Sequence, residues 1–325
     1  MSRNWTVAVV AAAVLAAVGV ARASSWPTRP ITMVVPFAAG GPTDVVGRIL
    51  AQRLGDILKK QVVVVNVGGA GGMTGADRVA HARPDGYEVL LGTVGTQAYS
   101  QTLYKKPLYS ATKDFAPVVL VAEQPLVLVV RKDFPASSLK EFAAYAKANA
   151  AKLSFGSGGA GSSTHLGCVL LNAKLGIKVQ HVPYRGSAPA LQDLIAGRID
   201  YLCDAVSTEL PPIKAGNVKP IAMLTMQRSA VLPDIPTAKE QGFAVDANNW
   251  IGLFFPHGTP EPIIHRLRDA TVTAMNTPAL RARMETIGTD LVAADRTSSS
   301  YLQHYVASQI KKWAAPIKES GVTVD

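Results

Sequence analysis

The sequence predicts an α/β protein built as two domains, and three observations predict it. Short strand-like runs alternate with segments of helical period from residue 31 onward, the pattern of strand–helix units with largely parallel sheets. A long apolar extended stretch, Pro117–Val130, interrupts that alternation, and a second, Asn249–Pro256, answers it near the C-terminus. The chain of 325 residues is also longer than a single core usually supports.

The elements follow in order. Ile31–Pro36 is a β-branched strand, and Thr43–Leu58 repeats Val46, Ile49, Leu50, Leu54, Ile57 and Leu58 at helical spacing. Val62–Val65 and Glu88–Gly92 read as strands around a helix at Gly75–Ala82. Pro117–Val130, bent at Glu123-Gln124-Pro125, reads as a strand crossing between domains. Leu153–Phe155, Val179–Pro183 and Tyr201–Ala205 are strands of the second domain, separated by helices at Thr164–Leu175 and Ala188–Ala196. The return crossing is Asn249–Pro256. Three helices, Pro262–Met275, Pro278–Ile287 and Ser298–Ser320, then pack back on the first domain, with Pro or Ser at their starts. The expected division is a leader at 1–23, domain 1 at 24–124 plus 249–325, and domain 2 at 125–248.

The leader reading rests on Arg3, the apolar run Thr6–Val20 and the cleavage signal Ala21-Arg22-Ala23, the layout of a secretory signal peptide cut after Ala23. Removing 23 of 325 residues leaves 302, and the formal charge of +10 falls to +8. Lys and Arg are scattered, with no run of five, so a nucleic-acid partner is not expected. A mild positive field suits anionic solutes. Cys168 and Cys203 fit no metal spacing. An oxidising compartment permits a disulfide between them, but their apolar surroundings favour the reading as two buried free thiols.

Two strand–helix loops carry the chemistry. Pro36–Asp44 places Gly40 and Gly41 before a helix. Such a loop lets backbone approach a ligand and offers an anion the free N–H groups of the helix start; the same residues also suit a plain turn with Thr43 or Asp44 as N-cap. Ser154–His165 adds hydroxyls to free amides. Its Gly156, Gly158 and Gly161 match G-x-G-x-x-G, but His181-Val182-Pro183-Tyr184-Arg185 stands where a dinucleotide site needs an acid. Ser157 lacks the preceding Gly of a nucleophile elbow, since Phe155 holds that place. A hydrolase using Ser157 and His165 is therefore the second reading, behind a binding protein without catalysis. The loops Asn66–Gly72 and Gly92–Thr96 also follow strands, and ligands of open α/β sheets sit beyond such strand ends.

The order and spacing of several stretches resemble one family. They are Val35–Gly41 with Asp44, Gly69–Gly72, Lys113–Val118, Ser157–Gly159 with His165-Leu166, His181–Ala190, Leu232–Thr237 and Trp250–Gly252. Together they resemble the solute-binding proteins of tripartite tricarboxylate transporters, the Bug family of Bordetella and its relatives. The resemblance implies a periplasmic-binding-protein (Venus-flytrap) fold of two α/β domains with a ligand cleft between them. It also implies a small carboxylate ligand (a dicarboxylate, amino acid or aromatic acid), membrane permease subunits as partners, a periplasmic monomer, and neither cofactor nor metal. Backbone amides of the two loops would hold the carboxylate. The expected ligand-binding set is Phe37, Ala39, Gly40, Gly41, Thr43, Asp44, Thr93, Ser157, Gly159, Ser163, Thr164, His165 and Asp204, with no catalytic residue. Cys168, Cys203 and Arg185 depart from the family's usual residues.

Overall fold

The computed structural model describes residues 26–324; the leader and its cleavage point lie outside the described residues. The elements are β1 Ile31–Val35, α1 Pro42–Leu58, β2 Val62–Asn66, α2 Met73–Ala80, β3 Glu88–Thr93, α3 Ser100–Leu103, β4 Phe115–Arg131, α4 Leu139–Asn149, β5 Ser154–Ser157, α5 Ser163–Leu175, β6 Gln180–Pro183, α6 Ser187–Ile195, β7 Tyr201–Ala205, α7 Val206–Lys214, β8 Val218–Met223, β9 Asn248–Pro256, α8 Glu261–Met275, α9 Pro278–Thr286, β10 Asp290–Leu291 and α10 Ser299–Glu319.

Helix α1 shows why these segments form. Val46, Leu50, Leu54 and Leu58 recur every four residues and are all buried, a stripe that packs against the sheet. Burying each such leucine contributes roughly 1.5–3 kcal/mol. Helices α4 and α10 open on Ser138 and Ser298, whose hydroxyls accept from Glu141 N and Tyr301 N, closing one orphan donor at each start.

The strands run in the order β2-β1-β3-β9-β4-β7-β5-β6, with β8 and β10 also on β4. Within each half the strands that begin strand–helix units are parallel: β1 with β2 and β3, and β5 with β6 and β7. The two crossing strands are antiparallel to their neighbours, so the sheet is mixed. Strand β4 is the pivot. Its residues 115–125 pair with β9, from Leu126 to Val130 it pairs with β7 on one side, and from Val127 to Arg131 with β8 on the other.

Side-chain packing divides in the same region. One apolar cluster joins residues from Trp26 through Ala122 with residues from Trp250 through Ile317. Two others lie on the two faces of the second half's sheet, one around Phe142, Phe155 and Tyr201, the other around Ala190, Leu202 and Leu210. Cys168 on α5 and Cys203 on β7 form a disulfide, with Cα atoms 5.3 Å apart; this corrects the favoured reading as free thiols, since the packing of α5 on β7 brings the two within bridging reach. The sequence reading passed over α7 and β8. Pro211 and Pro212 lie inside α7 and mask its period, and Pro220 does the same to β8.

Candidate functional site

Every loop that leaves the C-terminal end of a parallel strand points into one region. From the first lobe come Phe37–Gly41 after β1, Val67–Gly72 after β2 and the turn Thr93–Thr96 after β3. From the second come Gly158–Ser162 after β5, Tyr184–Gly186 after β6 and Ala205 after β7. The two sets are closed on each other. Ala38 N donates to Arg185 O at 2.9 Å. Tyr104 Oη lies 2.8 Å from Ala70 O and 2.9 Å from Ala160 O, one carbonyl from each lobe. A Cβ on Gly71, whose φ is +62°, would sit 1.9 Å from Ala160 O. Only glycine permits this approach.

The helix starts at this junction are buried and uncapped. Helices α1, α6 and α7 follow Gly41, Gly186 and Ala205, none of which supplies a side-chain cap. Thr43, Ser187, Val206 and Ser207 are all buried. The first N–H groups of a helix have no partner within it, and burying them unpaired is costly. The starts of α1 and α6 face each other: a Cβ on Gly41 would be 3.8 Å from Ser187 N and 4.0 Å from Ala188 N. Two positive helix ends brought close together, with small residues between, have the chemistry that suits an anion.

Asp44 does not cap α1 as an N-cap; Gly41 holds that position and Pro42 follows it. Instead the Asp44 carboxylate folds the loop. Oδ2 accepts from Gly40 N and Arg48 Nε, both at 2.9 Å, and Oδ1 accepts from Asn66 Nδ2 at 2.9 Å. Asn66 Nδ2 also donates to Phe37 O at 3.0 Å. Burial pushes the Asp44 carboxyl up, but the bonds from Arg48, Gly40 and Asn66 outweigh it and hold its pKa below the ordinary value.

The second loop is braced in the same manner. Thr164 Oγ1 accepts from Gly158 N at 2.8 Å, and Ser162 Oγ accepts from His165 N at 3.2 Å. Ser157 does not pair with His165, which corrects the arrangement that the hydrolase reading required. Its hydroxyl lies 2.7 Å from His181 Nε2 and accepts from Gly159 N at 3.0 Å. His165 Nδ1 accepts from Gly161 N at 3.2 Å. The two imidazoles stack at 4.1 Å between centroids. Burial, with the neighbouring His181 adding to it, pushes the His165 pKa down to about 3, and burial pushes His181 down to about 4. Both rings are neutral at pH 7.

Asp204 closes the far side. Its Oδ1 accepts from Ala205 N at 2.7 Å and Ser187 Oγ at 3.1 Å. Glu209 lies beside it, fully buried. Burial raises both pKa values, and the charge on Asp204 raises Glu209 further. Asp204 Oδ2 and both Glu209 carboxyl oxygens are buried without a hydrogen-bond partner among the described residues.

The family described as "Tripartite tricarboxylate transporter family receptor" matches residues 46–322. The chain belongs to this receptor family. A UPF0065 protein from the TAR-I ttuE-ttuC' intergenic region of Agrobacterium vitis is 40% identical over 298 residues, covering 91% of this chain and 86% of its own. The periplasmic binding protein BugD has 38% identity and a TM-score of 0.89, over 92% of this chain and 99% of its own. MatC of Rhodopseudomonas palustris, solved with bound malate, has 38% identity and a TM-score of 0.87, over 90% and 100%. The periplasmic-binding-protein fold of two α/β domains is thus the receptor's fold.

Within this receptor the expected ligand residues separate into groups. Phe37, Ala39, Gly40, Gly41, Thr43 and Asp44 lie on the β1–α1 loop and the first turn of α1. Ser157, Gly159, Ser163, Thr164 and His165 lie on the β5–α5 loop and the first turn of α5. Thr93 and Asp204 end β3 and β7. Ala39 and Gly40 are exposed, and all the others are buried. Thr93 N donates to Thr96 Oγ1 at 2.9 Å, so that threonine braces its own turn. The sequence reading missed Asn66 and Arg48, which set Asp44; Tyr104, which touches both lobes; His181, which takes Ser157; and Ser187-Ala188 at the start of α6. Gly186 before a helix containing Pro189 was the signal available for the last pair.

Proposed function

We propose that the protein captures a small carboxylate in the cleft between its lobes and delivers it to the membrane permease subunits of a tripartite tricarboxylate transporter, without catalysis. The observation that carries this reading is the convergence of the buried, uncapped starts of α1 and α6 at Gly41. An anionic oxygen there would accept the N–H groups that nothing in either helix uses. No lysine or arginine is needed at that point, and Arg185 is exposed. The malate bound by MatC favours a dicarboxylate within the class of small carboxylates. Ser157 and His181 form no triad: the hydroxyl also holds Gly159 N, which suits a loop brace.

The rigid bodies are proposed as residues 24–124 plus 249–325 and residues 125–248, turning about β4 and β9. The ligand-binding residues are those named above, with Ser187 and Ala188 added. Export with cleavage after Ala23 gives a periplasmic protein beginning at Ser24; mass spectrometry of the periplasmic form checks this, and retention of Trp5 rejects it. Calorimetry with a panel of dicarboxylic, amino and aromatic acids and their methyl esters tests this anion cradle. The free acid should bind and its ester lose at least about tenfold, the worth of one charge-assisted bond. Gly41→Leu should abolish binding, and Arg185→Ala should leave most of it. Equal affinity for the ester, or loss only in Arg185→Ala, would reject the cradle.

A further inference from the structure

A separate cavity of about 560 Å³ lies between helix α5, the β6 edge and the end of α10. Its walls include Phe155, His165, Val169, Asn172, Ile177 and His181. Its size is within the range of small-molecule sites. Three rings stack on one another at its side: Phe155 on His181 at 4.9 Å, and His181 on His165 at 4.1 Å.

Two polar groups on this wall are donors, and the hydrogen bonds of His165 and Asn172 fix which of their atoms donate. His165 Nδ1 accepts from Gly161 N, so the neutral ring carries its proton on Nε2. Ser157 Oγ already accepts from Gly159 N. A hydroxyl can accept twice, so its 2.7 Å contact with His181 Nε2 is compatible with either tautomer of that ring. Asn172 Oδ1 accepts from Tyr201 Oη at 2.9 Å, leaving its NH2 group. His165 Nε2, His181 Nδ1 and Asn172 Nδ2 have no partner among the described residues, and none is sealed off from the cavity. Lys178 stands at the exposed rim, as does the one carboxylate of the lining, Glu319.

We propose that this cavity is an accessory site for a small aromatic carboxylate, its ring held against Val169 and Ile177 beside His181 and its carboxylate taken by His165 Nε2–H and the Asn172 amide. An apolar slot with several N–H donors, and its one side-chain carboxylate out at the rim, matches a flat body carrying one anionic end. A cation or an amine would find no carboxylate inside. The site lies on the other side of α5's first turn from the cradle at Gly41, sharing only His165 with the cleft's proposed ligand residues, and it does not rest on the function proposed for that cradle.

Benzoate is the probe. The chain has six histidines, so a spectrum of the full mature protein with labelled imidazoles is readable, and His165→Gln and His181→Gln assign the two signals. Benzoate raised to about 10 mM, ten times the Kd of a millimolar site, should shift these two sets saturably and leave the other four in place. Ala173→Trp, on the exposed side of α5, fills the cavity and should abolish the shifts. Lys178→Glu adds a carboxylate at the rim and should raise the benzoate concentration needed for half-saturation. Gly41→Leu blocks the cleft and should leave the shifts intact. Immobile His165 and His181 signals, shifts that survive Ala173→Trp, or shifts that vanish in Gly41→Leu would each overturn the assignment.

Discussion

Replacing His165 with glutamine should flatten the loss of stability between pH 7 and pH 5. In the folded protein burial and the stacked His181 hold the His165 pKa at about 3, while an unfolded histidine titrates near 6.5. As pH falls below 6.5 the unfolded chain therefore gains a proton that the folded chain refuses, and stability drops. Each pH unit below 6.5 costs about 1.4 kcal/mol, so His165 alone removes about 2 kcal/mol by pH 5. The loss continues until pH falls through the folded value. His181, with a pKa of about 4, adds in the same direction, but it is partly exposed and its contribution is smaller. For a protein of this length about 2 kcal/mol corresponds to a fall in Tm of roughly 3 °C. Glutamine does not titrate, and its amide oxygen can still accept from Gly161 N. Thermal melts of parent and variant at pH 7 and pH 5 decide the matter. The parent should lose several degrees more than the variant. Equal losses would show that His165 is protonated in the folded state and that burial does not control it.

Other expectations follow from single contacts. Gly71→Ala places a Cβ where 1.9 Å separates it from Ala160 O, so the lobes must part by about 1 Å, and ligand affinity should fall about 100-fold with little change in the Tm of the ligand-free protein; unchanged affinity would show that this junction is not part of the bound state. Reducing the Cys168–Cys203 bridge, which closes a loop of 35 residues, should cost about 3–4 kcal/mol by the chain-entropy estimate, read by urea melts with and without reductant. Glu209→Gln should stabilise the protein increasingly as pH rises from 5 to 8. The raised folded pKa of Glu209 means that the parent loses stability as pH climbs from the unfolded value toward the folded one. Parallel stability curves for parent and variant would contradict this.

Periodicity made most of the fold legible. Val46, Leu50 and Leu54 declare α1, and the three C-terminal helices announce themselves by Pro or Ser at their starts. The bend at Pro125 marks where β4 changes partners. Where proline performed two jobs the reading failed, as at Pro211 and Pro212 in α7. The candidate loops were legible because glycine clusters after strands have few other uses. Their interlocking was not: nothing local in Asn66 says that it reaches Asp44 across 22 residues, or in His181 that it takes Ser157 from His165. Long-range polar pairs leave no period in a sequence.

Such a pair also joins the proposed hinge to the proposed cleft. Gln124 and Asn249 are opposed on the crossing strands β4 and β9, and both are fully buried. Asn249 Nδ2 donates to Gln124 Oε1 at 2.9 Å, and Gln124 Nε2 donates to Ser207 Oγ at 2.9 Å and to Pro42 O at 3.2 Å. Ser207 belongs to the first turn of α7 in one lobe, and Pro42 to the first turn of α1 in the other. A rotation that separates those helix starts must break at least one of the two Gln124 bonds, at a net cost of about 0.5–1.5 kcal/mol each. A ligand at 100 times its Kd supplies about 2.7 kcal/mol in favour of the form it binds, which exceeds either bond alone. The polar crossing is therefore weak enough to open without ligand and strong enough to give closure one register. Two leucines at 124 and 249 would bury more apolar surface but would give that rotation no stop.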